Sequence, residues 1–479
     1  MTYAETAVAV DEAPEARRSR FDPRDRPRLD PYVLAVLFFV AYAVLSVSRF
    51  VQMESRSWDL GIFEQVVRSY AHLEAPVADL KGPGFAILGD HFSPILMLIA
   101  PFYRLFPTPV TLLVAQALLF AGSVIPVTRV AAHLLGRARG IAVGAAFGLS
   151  WGVQGAIDFD FHEICFAVPL IALSLEAVLL RRWRTALLWA IPLLLVKEDL
   201  GLTVAALALI VVIRAWPVDR SAVRLGLAVA GVGVLGFLLT VGVIIPAFNA
   251  GGGYDYWSKL DPENSTPGTA VLNGLGEKSR TVLWILVPTT GLLALRSPLL
   301  IAAVPTLAWR FASQEPSHWG TAWHYDAVLM PIVSLALVDA IARTRFSSRL
   351  WQRSYAYHLP FLALAVALAL TTTRPLAILF QTATYTSTPT AKGGERALSV
   401  IPDGASVEAN VRPIAHLTGR CRVLWVGNTA GLVPDYIAYH DAGQNAESLI
   451  DYARVLHPTA TYKVVAHDTG FWILQRTSP

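Results

Sequence analysis

Apolar runs separated by short polar breaks recur from residue 32 to residue 372. The first run is 32–48. Later runs predict spans over 109–135, 140–157, 163–180, 185–197, 199–214, 223–246, 280–295, 298–312, 325–342 and 357–372. A helix needs roughly 17–25 predominantly apolar residues to cross a hydrocarbon core. The runs 185–197 and 298–312 are short by that measure, so the pattern gives about eleven transmembrane helices. The run 94–106, which leads into "FPTP", is too short to span comfortably and is read as not crossing.

Two regions follow other periods. In "DLGIFEQVVRSYAHL", Leu60, Phe63, Val66, Val67, Tyr70 and Leu73 form a helical stripe. The stripe predicts a helix lying on the membrane surface. Beyond residue 372 the runs become short and β-rich: "ASVEAN", "RVLWV", "DYIAYH" and "YKVVAHDTGFWILQR". The last reads as a hairpin turning at "DTG", and "NAESLIDYARVL" reads as a helix between strands. The pattern therefore divides the chain into a polar tail (1–30), a transmembrane domain (31–372) with a long first loop (49–93), and a small α/β domain (373–479). The fold class is an all-α polytopic membrane protein with an added α/β domain.

Composition agrees. Mean hydropathy is +0.49 and 54% of residues are hydrophobic, against 15% charged, which excludes a soluble domain. Arginine placement then orients the chain. "RRSRFDPRDRPR" carries six arginines ahead of the first span, which puts the N-terminus in the cytoplasm by the positive-inside rule. If 94–106 crossed, "GRARG" (136–140) and "RRWR" (181–184) would both face outside. If it does not cross, both fall inside, together with Arg214, Arg220, Arg224, Arg296, Arg343, Arg345, Arg349 and Arg353. The α/β domain is then extracytoplasmic. The net charge of +4 reflects these arginines and implies no nucleic-acid partner. The first 30 residues are charged and lack an apolar stretch, so they read as a disordered tail rather than a cleavable signal. Two cysteines, Cys165 and Cys421, form no disulfide or metal framework.

With the orientation set by arginines alone, the other ionisable groups collect on the outer side. The first outer loop holds Asp59, Glu64, Asp90 and His91. "AIDFDFHEICF" (156–166) holds Asp158, Asp160, His162 and Glu163. "VKEDLG" holds Lys197, Glu198 and Asp199, and "RFASQEPSHWGTAWHYD" holds Arg310, His318, His324, Tyr325 and Asp326. The one outer junction without such groups is a long Gly-rich loop. Ionisable groups at membrane depth are costly and are functional candidates by default. Helix capping competes with that reading. Asp160 and Glu163 have capping-box spacing, and Asp59 and Asp199 each precede a helical run. Caps explain neither the histidines nor the alternation of Asp158, Asp160 and His162, which an extended segment would point one way. His91, Asp160, His162 and Glu163 are a weak metal set for Mg or Mn, without a recognised spacing. Trp309, Trp319 and Trp323 read as interfacial anchors or as sugar-stacking rings.

The segments "WDLGIFEQ", "GDHFSP", "FDFHE", "KEDLGL" and "WHYDAVLMP" resemble an uncharacterised family of bacterial polytopic membrane proteins, domain of unknown function 2079. That family is similar to the GT-C superfamily of integral-membrane glycosyltransferases. The resemblance covers roughly 45–345 and continues in "IPDGASVEANVRPIAHLTGR". It implies the bacterial plasma membrane and a polyprenyl-phosphate-linked sugar donor. It also implies an extracytoplasmic acceptor in the cell envelope (glycan, lipid or protein) and a catalytic carboxylate in the first outer loop. Asp59 matches that carboxylate, although its neighbour is Trp58 and not a second acid.

Glycosyl transfer needs a base for the acceptor hydroxyl, positive charge or a metal at the leaving phosphate, and carboxylates near the anomeric centre. Asp59 is the candidate base. Lys197 and Arg310 are candidates for the lipid phosphate. Glu64, Asp90, His91, Asp158, Asp160, His162, Glu163, Glu198, His324 and Tyr325 are expected to line the cleft. A transporter is the first rival, but its charges belong at the midplane. The second is a non-catalytic scaffold binding lipid or glycan, which would present the same cleft.

Overall fold

The computed structural model describes residues 29–260 and 272–478. Nearly all of the expected disordered tail (1–30) lies outside the described residues. Among the described residues, six helical stretches are long and apolar enough to cross a membrane: Asp30–Val51, Pro109–Leu135, Arg137–Asp158, Arg220–Phe248, His324–Thr344 and Leu350–Thr371. Trp183–Leu195, Leu200–Ala215 and Pro298–Ala312 are apolar but shorter. Ala167–Leu179 and Leu275–Thr290 pack among them. A 16-residue helix such as Leu200–Ala215 reaches only about 24 Å, short of the roughly 30 Å hydrocarbon core. Length alone therefore leaves the expected number of spans open. The run 94–106 forms a 3-10 turn, Pro94–Leu98, and a six-residue helix, Ala100–Leu105. Its Met97, Leu98, Phe102 and Leu105 are exposed, as suits a ledge on apolar surroundings.

The centre of the bundle is Leu329–Thr344, whose residues are buried on every face. A helix apolar all round belongs in such a position. Helices come close where side chains are small. A Cβ on Gly201 would lie 2.7 Å from the Gly233 carbonyl oxygen, so Leu200–Ala215 and Arg220–Leu239 approach backbone to backbone.

The C-terminal region is a five-stranded sheet: β1 (Ser406–Ala409), β2 (Arg422–Trp425), β3 (Tyr436–His440), β4 (Thr461–Asp468) and β5 (Phe471–Ser478). The strand order is β2-β1-β3-β5-β4. β1 is parallel to β2 and β3, while β5 is antiparallel to β3 and β4. The β4–β5 turn falls at "DTG", where Thr469 and Gly470 both take positive φ (45° and 82°), as a two-residue hairpin turn favours. Helix Ala446–Leu456 starts at a capping box formed by Asn445 and Ser448.

The helix read from the sequence as lying on the membrane surface, Asp59–Ala71, is instead sandwiched. Leu60, Phe63, Val66 and Val67 are buried, and so are Glu64 and Gln65 on the polar side. The sheet domain covers that side. Gln65 Nε2 donates to the Val423 carbonyl at 2.8 Å, Arg68 donates to the Thr418 carbonyl at 3.0 Å, and Trp58 meets the edge of Trp425 with ring centroids 4.7 Å apart. Arg422 holds Asp79 through two hydrogen bonds of 2.9 and 3.0 Å. A stripe in a sequence shows one apolar face and cannot show that a second domain buries the other.

Gly61 marks the closest approach. A Cβ there would lie 2.3 Å from Ile414 Cγ2 and 2.9 Å from Leu80 Cδ1. Gly61→Leu is expected to cost about 1–3 kcal/mol by overpacking. The check is limited proteolysis and melting of the purified protein, with cleavage rising at the junction between the bundle and the sheet domain.

Candidate active site

Asp59 opens its helix without capping it: no side-chain cap bond forms there, and its N–H donates to Ser57 Oγ at 3.1 Å. Its carboxylate faces His162, with Oδ2 to Nε2 at 3.4 Å. His162 lies on an extended stretch (φ −140°, ψ 146°) just before the turn Glu163–Phe166. His162 stacks on His324, their ring centroids 3.7 Å apart. Three separated segments thus meet at one point.

A second cluster lies along the same wall. Lys197 Nζ donates to Glu163 at 2.8 Å. Glu198 contacts His91 Nδ1 at 3.0 Å, and the other His91 nitrogen, Nε2, contacts the Tyr256 hydroxyl at 2.9 Å. The Tyr254 hydroxyl donates to Glu198 at 3.3 Å. Lys81 is bonded to Asp90.

Between the clusters lies a cavity of about 480 Å³. Of the residues selected from the sequence, Asp59, Asp90, His91, His162, Glu163, Lys197, Glu198, His324 and Tyr325 line it. Glu64, Asp158, Asp160 and Arg310 do not. Glu64 is buried under the sheet domain, bonded to Thr418 and to the Tyr103 hydroxyl at 2.8 Å. Asp158 ends helix Trp151–Asp158 and pairs with Arg49 at 3.0 Å and Arg56 at 2.8 Å. Asp160 has positive φ (69°) and accepts the Arg56 and Ser57 N–H groups, at 3.1 and 3.4 Å. The alternation of Asp158, Asp160 and His162 is thus broken, because Asp158 is still helical and only His162 is extended. Arg310 is fully buried and spends its guanidinium on Asp326 and on the His318 and Gly320 carbonyls, at 2.8, 2.9 and 2.8 Å. It braces the 318–320 loop and is closed to a lipid phosphate. The capping readings fail as well. Asp199 makes no side-chain cap bond, and the turn that Asp160 and Glu163 were expected to box carries none.

Several lining residues were not selected from the sequence. Asp199 and His318, counted among the outer ionisable groups but not assigned to the cleft, line the cavity with Lys81 and Trp58, as do Tyr254, Tyr256, Trp257 and Lys259. The last four come from the Gly-rich loop passed over among the outer junctions, although it carries Asp255. Its signal is "YDYWSK", aromatics interleaved with a lysine. Lys259 Nζ sits over the Tyr256 ring, 3.9 Å from its centroid. Of the tryptophans, Trp309 and Trp323 line the cavity. Trp319 is buried and donates to the Ser313 carbonyl at 2.7 Å.

Burial and neighbours set the charges. Burial pushes the Asp59 carboxyl up, but His162, Ser57 and His91 outweigh it and hold the group below the usual aspartate value. Burial pushes His91 down, but Asp90 and Glu198 overcome this and raise it. Lys197 would lose its proton to burial, and Glu163, Glu198 and Asp199 keep it firmly charged. The cavity therefore holds ionised groups of both signs. Buried His162 Nδ1, His324 Nδ1, Glu163 Oε2 and Asp199 Oδ1 have no protein partner, so lining atoms remain for a ligand.

A Mg or Mn ion fits poorly. His91 is committed to Glu198 and Tyr256, Glu163 to Lys197, and Asp160 to two backbone N–H groups. Among the described residues no three His, Cys, Asp or Glu side chains are grouped to hold a metal. The four residues considered from the sequence are not brought together, so no step below runs through a metal.

Residues 49–471 match the family described as predicted membrane protein (DUF2079). No curated protein matches the chain. Among solved structures, the fold is similar to ArnT from Cupriavidus metallidurans bound to undecaprenyl phosphate. The TM-score is 0.57 and the identity 16%, covering 94% of this chain and 98% of that one. The apo state of the same protein matches with TM-score 0.48 and 14% identity over 92% and 97% of the two chains.

Removing Lys197 is expected to damage the fold as well as the site. Lys197→Met leaves the buried Glu163 carboxylate without its cation and removes a positive charge beside Glu198 and Asp199, at a cost of about 3–5 kcal/mol. Lys259→Met, which breaks no ion pair with a carboxylate, should melt within about 0.5 kcal/mol of the parent. Melting in detergent separates the two. A further expectation concerns Glu64, whose carboxyl burial raises to about 7, partly offset by Thr418 and Tyr103. A carboxyl raised on folding stabilises the folded state fully below its unfolded value, and that share is lost as pH rises through about 7. Docking of the sheet domain, read by hydrogen exchange at Thr418, should loosen across neutrality. Glu64→Gln should abolish that pH dependence.

Proposed function

The chain belongs to the DUF2079 family of predicted membrane proteins, and from that premise we propose that it is a glycosyltransferase of the GT-C type. It would move a sugar from a polyprenyl-phosphate donor to an acceptor hydroxyl. The observation that carries this reading is the exposure of Asp59. Its side chain is 26% exposed at the cavity, while those of Asp90, Glu163 and Glu198 are 5%, 1% and 2% exposed. Asp59 is thus far more open to the cavity than Asp90, Glu163 or Glu198. It stays ionised and is braced by His162, as a base must be before it meets a substrate.

The step balances with the groups present. The acceptor oxygen attacks the anomeric carbon, and the carbon–oxygen bond to the phosphate breaks. Asp59 takes the hydroxyl proton, and the polyprenyl phosphate leaves with the bonding electrons. Lys81, Lys197 and Lys259 supply positive charge along the cavity for the departing phosphate. Trp58, Tyr256 and Trp257 offer flat apolar faces to a sugar ring or to isoprene units. His162, packed against both Phe159 and His324, keeps Asp59 in place. The likeness of fold to a protein solved with undecaprenyl phosphate supports a polyprenyl phosphate as lipid partner. With the arginine-rich helix ends in the cytoplasm, the cavity and the sheet domain face outward, where an envelope acceptor would dock.

Asp59→Asn keeps the shape and removes the base. Transfer of labelled sugar from a polyprenyl-phosphate donor by the reconstituted protein is expected to fall about 10²–10⁴-fold, with melting unchanged. Equal turnover by Asp59→Asn would eliminate Asp59 as the base. Lipid binding without turnover in either protein would leave a scaffold.

A further inference from the structure

The ends of the helices remote from the active-site cavity enclose a second cavity, of about 470 Å³. Helix His324–Thr344 connects the two. It begins with His324 at the first cavity and ends beside Arg345 at the second. Its 21 residues span about 31 Å, so the second cavity lies near the opposite membrane surface.

Arg139, Arg345, Arg353, Tyr357 and His358 line it, with Ser354 beside them, and no carboxylate does among the described residues. Other arginines of this end are neutralised: Arg137 by Asp30 at 2.7 Å, and Arg214 and Arg343 by Asp339 at 2.6 and 3.1 Å. The three in the cavity meet no acid. Arg139 lies flat on the Tyr357 ring, 3.6 Å from its centroid, with two nitrogens on the Tyr357 and Leu135 carbonyls. Arg345 gives one nitrogen to the Leu134 carbonyl at 2.7 Å. Their remaining N–H groups have no protein acceptor among the described residues. Around the rim, Phe346, Leu350, Trp351 and Tyr357 are exposed, and Phe361 and Leu362 continue the apolar strip along the Leu350–Thr371 helix. Aromatic rings beside cations at a helix end mark the headgroup level of a bilayer, and the strip suits acyl chains.

We propose that this cavity binds the phosphodiester headgroup of an anionic phospholipid, with Arg139, Arg345 and Arg353 around the phosphate and the acyl chains along Leu350–Thr371. Charge complementarity and membrane depth both select this ligand. A free anion would explain the arginines but not the apolar strip.

The test uses the full-length protein in neutral detergent with native mass spectrometry. Phosphatidylglycerol should be retained at least tenfold better than phosphatidylcholine. Arg353→Gln, which breaks no protein contact, should lower retention about tenfold at unchanged melting temperature. Arg345→Gln combined with Arg353→Gln should remove the preference, and Arg353→Lys should restore part of it. Inorganic phosphate and glycerophosphoglycerol are offered as competitors. Weak competition by both supports the lipid, whereas full displacement by millimolar phosphate identifies a free-anion site and overturns the proposal. Equal retention of the two lipids, or by parent and variants, overturns it as well.

Discussion

The helix Asp59–Ala71 can hold Asp59 still only because it is buried on two sides at once. Its apolar face packs into the bundle, and its polar face is taken up by the sheet domain through Gln65, Arg68 and Thr418. Trp58, next to Asp59, touches Trp425 of β2 and also lines the cavity. Asp59 and the sheet are therefore mechanically continuous. On a helix gripped on one side only, the proposed base would move with every opening of the loop, and displacements near 1 Å are costly for such a group.

Desolvation supplies the second constraint. Buried charges are tolerated only when matched, and the cavity wall follows that rule. Lys197 serves Glu163, His91 serves Glu198, Lys81 serves Asp90, and His162 serves Asp59. Except for Lys81 and Asp90, which share the first outer loop, each pairing joins segments far apart in the chain, so the charge network also pins the loops that carry it. Lys259 departs from the pattern by resting on the Tyr256 ring rather than on an acid. Its positive charge is the one in the wall least spent on protein.

The two ends of the bundle differ in the same terms. At one end most of the cations are matched by carboxylates, among aromatic side chains that share the cavity wall. At the other, Arg139, Arg345 and Arg353 face outward without acids, above exposed apolar rings. On the proposed reading, this asymmetry separates a substrate cavity at one membrane surface from an anionic-lipid site at the other.

Much of this was legible in the residues. Apolar runs longer than about 17 residues announce membrane helices because hydrocarbon thickness allows little else. "GDHFSP", "FDFHE", "KEDLG" and "WHYD" meet at one cavity because charges excluded from the bilayer core must gather at its surface. What the sequence could not decide was pairing. Asp158 and Asp160 sit beside His162 in the chain, yet a helix end and one positive φ turn them toward Arg49, Arg56 and backbone amides. Arg310 carries the right charge for a phosphate but is spent inside the protein. Tyr254, Tyr256 and Lys259 enter the site from a loop whose aromatic and lysine pattern does not by itself name a site, brought there by the folding of 249–260 over the cavity. The sequence by itself determined that this is a membrane bundle with a chemically rich face and a sheet domain. Tertiary structure alone decided which charges face the cavity, because partner choice depends on three-dimensional proximity and desolvation, which linear order does not encode.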